Sequence, residues 1–167
     1  MIIFKQLLKI LFYMFKPVRF VVLDVGQSKR ITILDKKKRK LIRLSINSRL
    51  DVMTAAAIFC FEEYSISNLA RENELQKIYS SYVDNNCVPL IIDCGSNIGL
   101  ASVYFAYTYP KSTVIGYEPE SKNFDVAKIN SKMFSNIEIK NIAVGSHPGF
   151  VSISNTDADN NAFQTEM

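Results

Sequence analysis

Residues 90–99 read LIIDCGSNIG, and the fold reading starts from the punctuation of that stretch. A short apolar run ends in Asp93, and Gly95 and Gly99 then flank a turn into a second apolar segment, residues 97–109. A continuous apolar run bounded this way predicts a parallel strand buried on both faces. The segment after it is apolar nearly all round, which predicts a largely buried helix ended by Pro110. The alternation continues with a strand over 113–117 and a helix over 121–134 carrying Val126, Ile129 and Met133 on one face. A strand over 137–144, a turn at His147-Pro148-Gly149 and a short strand over 150–154 follow. Alternating units of this kind imply a doubly wound α/β sheet. Two successive right-handed crossovers give its strands the order 3-2-1, with the first strand at an exposed edge.

The chemistry concentrates at the same turn. Glycine suits Gly95 and Gly99 because a ligand must come close to the backbone there and because the turn calls for positive φ. Amides exposed at the start of the following helix can hold a ligand carboxylate. The spacing Gly95-x-x-x-Gly99 departs from the G-x-G-x-x-G pattern of dinucleotide enzymes, whose middle glycine admits a pyrophosphate; that position is Asn97 here. Asp93 would repel a pyrophosphate but suits a ligand bearing an ammonium and a sulfonium, so the segment favours S-adenosylmethionine over NAD. Downstream, the second strand ends in Tyr117-Glu118-Pro119, where nucleotide-binding α/β folds place a carboxylate for the ribose hydroxyls. For Asp93 or Glu118 taken alone, a helix-dipole partner or a solvated strand end explains the residue as well; the two in register favour a ligand site.

Working outward, residues 1–16 read as a helix with Lys5, Gln6, Lys9 and Lys16 along one side and large apolar residues elsewhere. Such a helix fits either an interfacial position on the cytoplasmic face of a membrane or docking on the protein's own body. Its lysines break any run of the about 20 apolar residues that a span requires. Three β-rich runs follow, 19–25, 30–34 and 41–46, separated by a turn at Gly26 and the charged loop 35–40, and they predict a small antiparallel sheet or a pair of hairpins. Residues 51–63 predict a helix with Asp51 as its N-cap, and a second helix is expected over 68–83. The expected organisation is an amphipathic helix over 1–16, an α+β extension over 17–88 and a cofactor-binding domain over 89–167.

Nearly half of the 167 residues are apolar and the net charge is only +4, which fits a globular domain and argues against nucleic acid as a partner. Cys60, Cys87 and Cys94 are odd in number and widely spaced, unlike a disulfide framework or a zinc site, and suggest a reducing, cytoplasmic setting.

The segments IIDCGSNIGLASVYFA, VIGYEPESKNFDVAKIN and IEIKNIAVGSHPGFVSI, in this order and spacing, together resemble the FkbM family of methyltransferases. RLDVMTAAAIFCFEEYSI resembles the helix that precedes the core in that family, so the likeness covers roughly residues 48–155. The resemblance implies an α/β, Rossmann-like class I methyltransferase fold with an N-terminal α+β extension. It implies S-adenosylmethionine as cofactor and O-methylation of a hydroxyl on a sugar or similar small polar substrate. Carried over by position, Asp93, Gly95, Asn97 and Gly99 would surround the methionine part of the cofactor, Glu118 would bind the ribose and Ala143 would lie near the adenine. Tyr64 matches a tyrosine upstream of the core with no assigned role, and no catalytic residue or metal ligand is implied.

Family members continue into a strand ending in an Asp-x-Glu-Gly segment, which these 167 residues lack. The fold is therefore expected to be incomplete. The second reading is a truncated, catalytically inactive remnant or a nucleoside-binding module. Three further features read as structural: His147 as a surface turn residue, the run 36–40 as a solvated hairpin loop, and the cluster Tyr104, Phe105, Tyr107 and Tyr109 as packing on the sheet.

Overall fold

The computed structural model describes residues 18–23, 29–147, 149, 152–154 and 164–166, the last two groups as backbone alone. The expected helix over 1–16, the Gly26 turn, Pro148 and Phe150 lie outside the described residues. The chain clusters into two compact units, Met1–Ala70 and Arg71–Met167.

In the first unit, β1 (Phe20–Leu23), β2 (Arg30–Asp35) and β3 (Lys40–Ser45) form an antiparallel sheet in the order β1-β2-β3. Alternation decides its buried face, which carries Ile31, Ile33, Ile42 and Leu44. Asp35 anchors the β2–β3 hairpin. One of its oxygens accepts from the Lys37 and Lys38 amides at 2.8 and 3.0 Å, and the other accepts from the Arg19 guanidinium at 3.1 Å. The charged loop that Asp35 holds is exposed from Lys37 onward, as its composition suggested.

Helix α1 (Arg49–Ala55) begins three residues earlier on a different cap than expected: Ser48 is the N-cap and Asp51 is the third helical residue. The Ser48 hydroxyl accepts from the Asp51 amide while the Asp51 carboxylate accepts from the Ser48 amide, a reciprocal capping box. The helix continues as a π-helical turn, Ala56–Cys60, which brings Phe59 edge-on to Phe20 with ring centroids 5.5 Å apart.

In the second unit, α2 (Glu72–Asp84) precedes β4 (Leu90–Cys94), α3 (Leu100–Thr108), β5 (Thr113–Tyr117), α4 (Ser121–Ser131) and β6 (Ile137–Lys140). The three strands are parallel, β4 to β5 and β5 to β6, so the order β4-β5-β6 meets the 3-2-1 expectation with β4 at an edge. A separate antiparallel pair, β7 (Ser152–Ser154) and β8 (Gln164–Glu166), was only half anticipated, since no strand was read over 164–166. Mixed α/β content with a three-stranded parallel sheet is compatible with a Rossmann-like fold. Among the described residues no helix is long and apolar enough to cross a membrane.

One burial expectation is corrected. Strand β4 is not buried on both faces: Leu90 and Ile92 are 57% and 56% exposed. Helix α3 packs on β5 and α4 packs on β6 and on α3, which covers the face carrying Val114 and Ile139; Leu90 and Ile92 alternate away from it. Helix α4 buries Asn123, Ala127 and Asn130, whereas Ile129 and Met133 are 49% and 57% exposed. A small residue is needed at the contact, because a Cβ on Gly99 would already stand 3.2 Å from the Ala127 Cβ. Asn130 contributes a donor that Ile129 lacks, its amide meeting the Ile98 carbonyl at 2.8 Å.

Candidate functional site

The turn from β4 into α3 carries three left-handed residues, Gly95 (φ 81°), Asn97 (φ 49°) and Gly99 (φ 80°). Left-handed backbone cannot propagate a right-handed helix, so α3 starts at Leu100 and not at Asn97 as its apolar run suggested. The two glycines serve different ends. A Cβ at Gly99 would press on Ala127, so Gly99 is a packing residue as well as a positive-φ one. A Cβ at Gly95 would meet nothing within 4 Å, so its bare backbone opens onto free space.

The turn is pinned to the end of the neighbouring strand. The amides of Gly95 and Ser96 both donate to the Tyr117 carbonyl at 2.9 Å. The Asn97 amide donates to Glu118 Oε2 at 2.8 Å, and Glu118 Oε1 accepts from the Glu120 amide at 2.9 Å. Glu118, 6% exposed, thus ties the turn to the end of β5 with one oxygen and its own following segment with the other, a structural duty that its position in the sequence did not announce. Asn141 supports it from beyond β6, its side-chain amide donating to the Glu118 and Pro119 carbonyls at 2.8 and 3.0 Å. The sequence reading missed Asn141; an asparagine just after a strand is a faint signal for such a clamp.

Asp93 sits beside this lock on β4, paired in register with Gly116 of β5. Its carboxylate accepts a 2.6 Å hydrogen bond from the Ser102 hydroxyl on α3. Burial pushes the Asp93 carboxyl above the usual carboxylate range, and the Ser102 donation pulls it part of the way back. Glu118 is also pushed up, first by burial, then by the charges of Glu120 and Asp93, against the pull of its two amide donors. Two carboxylates therefore share the C-terminal ends of adjacent parallel strands, each held where ionisation costs more than in water.

Asp93, Gly95, Asn97, Gly99 and Glu118 are gathered within this one turn and its strand ends. Ala143 is not drawn into their hydrogen-bonded frame. Strand β6 ends at Lys140 instead of 144, leaving Ala143 half-buried in irregular backbone. In the first unit Tyr64 is exposed. His147 is exposed too, with Nδ1 3.0 Å from the Ser146 hydroxyl, as a surface turn residue should be. Of the tyrosine cluster, Tyr104 is fully buried and Tyr109 meets Tyr79 of α2 at 5.2 Å, which makes the cluster packing material.

No family model matches the chain. A methyltransferase of Sordaria araneosa, sdnD, is 33% identical over 75 residues, which are 40% of this chain and 27% of that protein. The match therefore spans little more than a quarter of the relative, and over that stretch the chain is similar to a methyltransferase.

Proposed function

We propose that this chain is an FkbM-like, S-adenosylmethionine-dependent O-methyltransferase acting on a hydroxyl of a sugar or similar small polar molecule. One observation carries the reading: Asp93 and Glu118 stand at adjacent strand ends around a turn whose Gly95 leaves its backbone open. The likeness to a methyltransferase over 75 residues supports the class of reaction.

The donor set fits such a cofactor. Asp93 offers a carboxylate to an ammonium, with one oxygen already oriented by Ser102. Glu118 has about four acceptor sites on its two oxygens, and the Asn97 and Glu120 amides use two, which leaves acceptor capacity for ribose hydroxyls. Gly95 admits a ligand close to the backbone, where any side chain would intrude. Bound there, S-adenosylmethionine would supply an activated methyl group on a sulfonium. The protein's remaining task is to hold cofactor and acceptor hydroxyl in line, since alignment lowers the barrier without new covalent chemistry.

A second reading, a nucleoside-binding module without turnover, draws on the position of β4. Ligands of doubly wound sheets sit between the first strand and the next strand added on its other side. Among the described residues β4 is the edge of its sheet, so the crevice has one strand wall. Calorimetry with S-adenosylhomocysteine, followed by radiolabelled methyl transfer over a panel of sugars, separates the readings. Binding with multiple turnovers supports the transferase, binding without turnover supports the module, and absence of binding removes both.

A further inference from the structure

A serine that the sequence reading passed over occupies a demanding position. Ser102 is fully buried in the first turn of α3, whose sequence LASVYFAYT is otherwise almost wholly apolar. A buried hydroxyl costs free energy unless it is hydrogen-bonded. A serine inside a helix can turn its hydroxyl back to the carbonyl four residues earlier. For Ser102 that residue is Ile98, which lies ahead of the helix and whose carbonyl accepts from Asn130. The Ser102 hydroxyl is aimed at Asp93 Oδ2 at 2.6 Å, in the short range of hydrogen bonds to an ionised acceptor.

Gly116 makes this approach possible. It pairs with Asp93 across the sheet, so the residue beneath Ser102 and the residue it binds are neighbours. A Cβ on Gly116 would stand 2.9 Å from the Ser102 hydroxyl oxygen, 3.0 Å from the Ser96 Cβ and 2.7 Å from the Ile139 Cδ1. Its backbone does not have the positive φ of Gly95 and Gly99, so glycine is required here by space. A glycine inside a strand marks a close approach by another element, and TVIGY is such a strand.

We propose that Ser102 is a positioning residue of the site: from its pocket over Gly116 it fixes the Asp93 carboxylate in one orientation toward the open side of the Gly95 turn. The proposal rests on reading Asp93 as a ligand-facing carboxylate. Ser102 also offsets part of the burial that favours a protonated Asp93. The charged neighbour across the turn is Glu118, whose own carboxyl the Asp93 charge pushes up, so orientation of Asp93 bears on both groups.

The test uses the whole 167-residue chain and Ser102→Ala, which removes one oxygen without disturbing helix propensity. Without ligand, the carbon-13 carboxyl titration of Asp93 is expected to move to higher pH, because the charged form loses the hydroxyl donor and keeps only the Ser102 backbone amide. At neutral pH, affinity for S-adenosylhomocysteine is expected to fall roughly tenfold. In an Asp93→Asn background the same substitution should change affinity less than about twofold, since the coupled group is gone. Ser102→Cys keeps the volume with a weaker donor and should move the titration the same way by less; it replaces the alanine variant if that one unfolds. An unchanged Asp93 titration in the variants overturns the proposal. If the parent chain binds no S-adenosylhomocysteine, the cofactor reading falls, and the ligand-free titration still decides the role of Ser102.

Discussion

Each of the two three-stranded sheets in this chain holds a buried acid near a strand end, and the acids are supplied differently. In the antiparallel sheet, Asp35 accepts from two backbone amides and the Arg19 guanidinium, and nearby Asp51 accepts from the Asn47 and Ser48 amides. These acids close a hairpin and cap a helix. In the parallel sheet, Asp93 accepts from the Ser102 hydroxyl and backbone amide and Glu118 from two amides, and among the described residues neither forms an ion pair. Both are raised above the ordinary carboxylate range by burial. A buried acid that has both amides and a cation, as Asp35 has, builds architecture, and one without a cation keeps binding capacity at a cost in stability.

The largest effect expected from that contrast is in the antiparallel sheet. Asp35→Ala strips two amides and a guanidinium of their acceptor and should destabilise the first unit by about 3 kcal/mol, near the lower end for breaking a buried pair. Urea unfolding of the variant measures it, and a loss under about 1 kcal/mol would erase the distinction drawn for Asp35. Next comes Glu118→Ala, expected to weaken S-adenosylhomocysteine binding by about 1.5–3 kcal/mol. Calorimetry on variant and parent is the check, and equal affinities would leave Glu118 as a lock for the turn alone.

A smaller and opposite stability effect is expected at Asp93. A carboxyl whose folded-state pKa is raised contributes stability that is fully present below its unfolded pKa and lost as pH rises through the folded one. Above its folded-state pKa the ionised Asp93 is therefore a burden on the ligand-free fold, and there Asp93→Asn should stabilise it by roughly 0.5–1 kcal/mol while weakening ligand binding. Binding to the parent runs the other way with pH: as pH falls through the raised pKa values of Asp93 and Glu118, affinity for a cationic ligand should drop by up to about tenfold per pH unit for each proton taken up. Thermal melts of the asparagine variant and a pH series of calorimetric titrations test the pair, and a destabilised asparagine variant would place Asp93 with the architectural acids. The smallest effect belongs to the uncovered sheet face. Ile92→Thr, at a position more than half exposed, should change stability by no more than about 0.5 kcal/mol.

The sequence was most legible where local rules suffice. The alternation of apolar runs and turns marked every strand from β1 to β6, and strand 113–117 was read to the residue, because strand period and turn chemistry are local properties. Gly95, Asn97 and Gly99 were recognisable as a turn, and Asp93 and Glu118 as acids closing two strands, since their meaning comes from position relative to those strands. Which face of α4 packs was not legible from Val126, Ile129 and Met133, because hydropathy cannot say that this contact needs small Ala127 and hydrogen-bonding Asn130. The both-face burial expected of Leu90 and Ile92 failed, since what covers a strand belongs to other elements.

By itself, then, the sequence determined the order and kind of the elements, the parallel sheet with its first strand at the edge, and the turn where carboxylates and glycines converge. Tertiary structure alone decided which donors each acid receives. Ser102 reaches Asp93 only because Gly116 lies in register beneath it, and Glu118 meets the Asn97 amide across 21 residues of chain. The physical reason is that a hydrogen bond needs two groups within about 3 Å in the right orientation, a condition set by how strands and helices pack and not by either residue's local sequence.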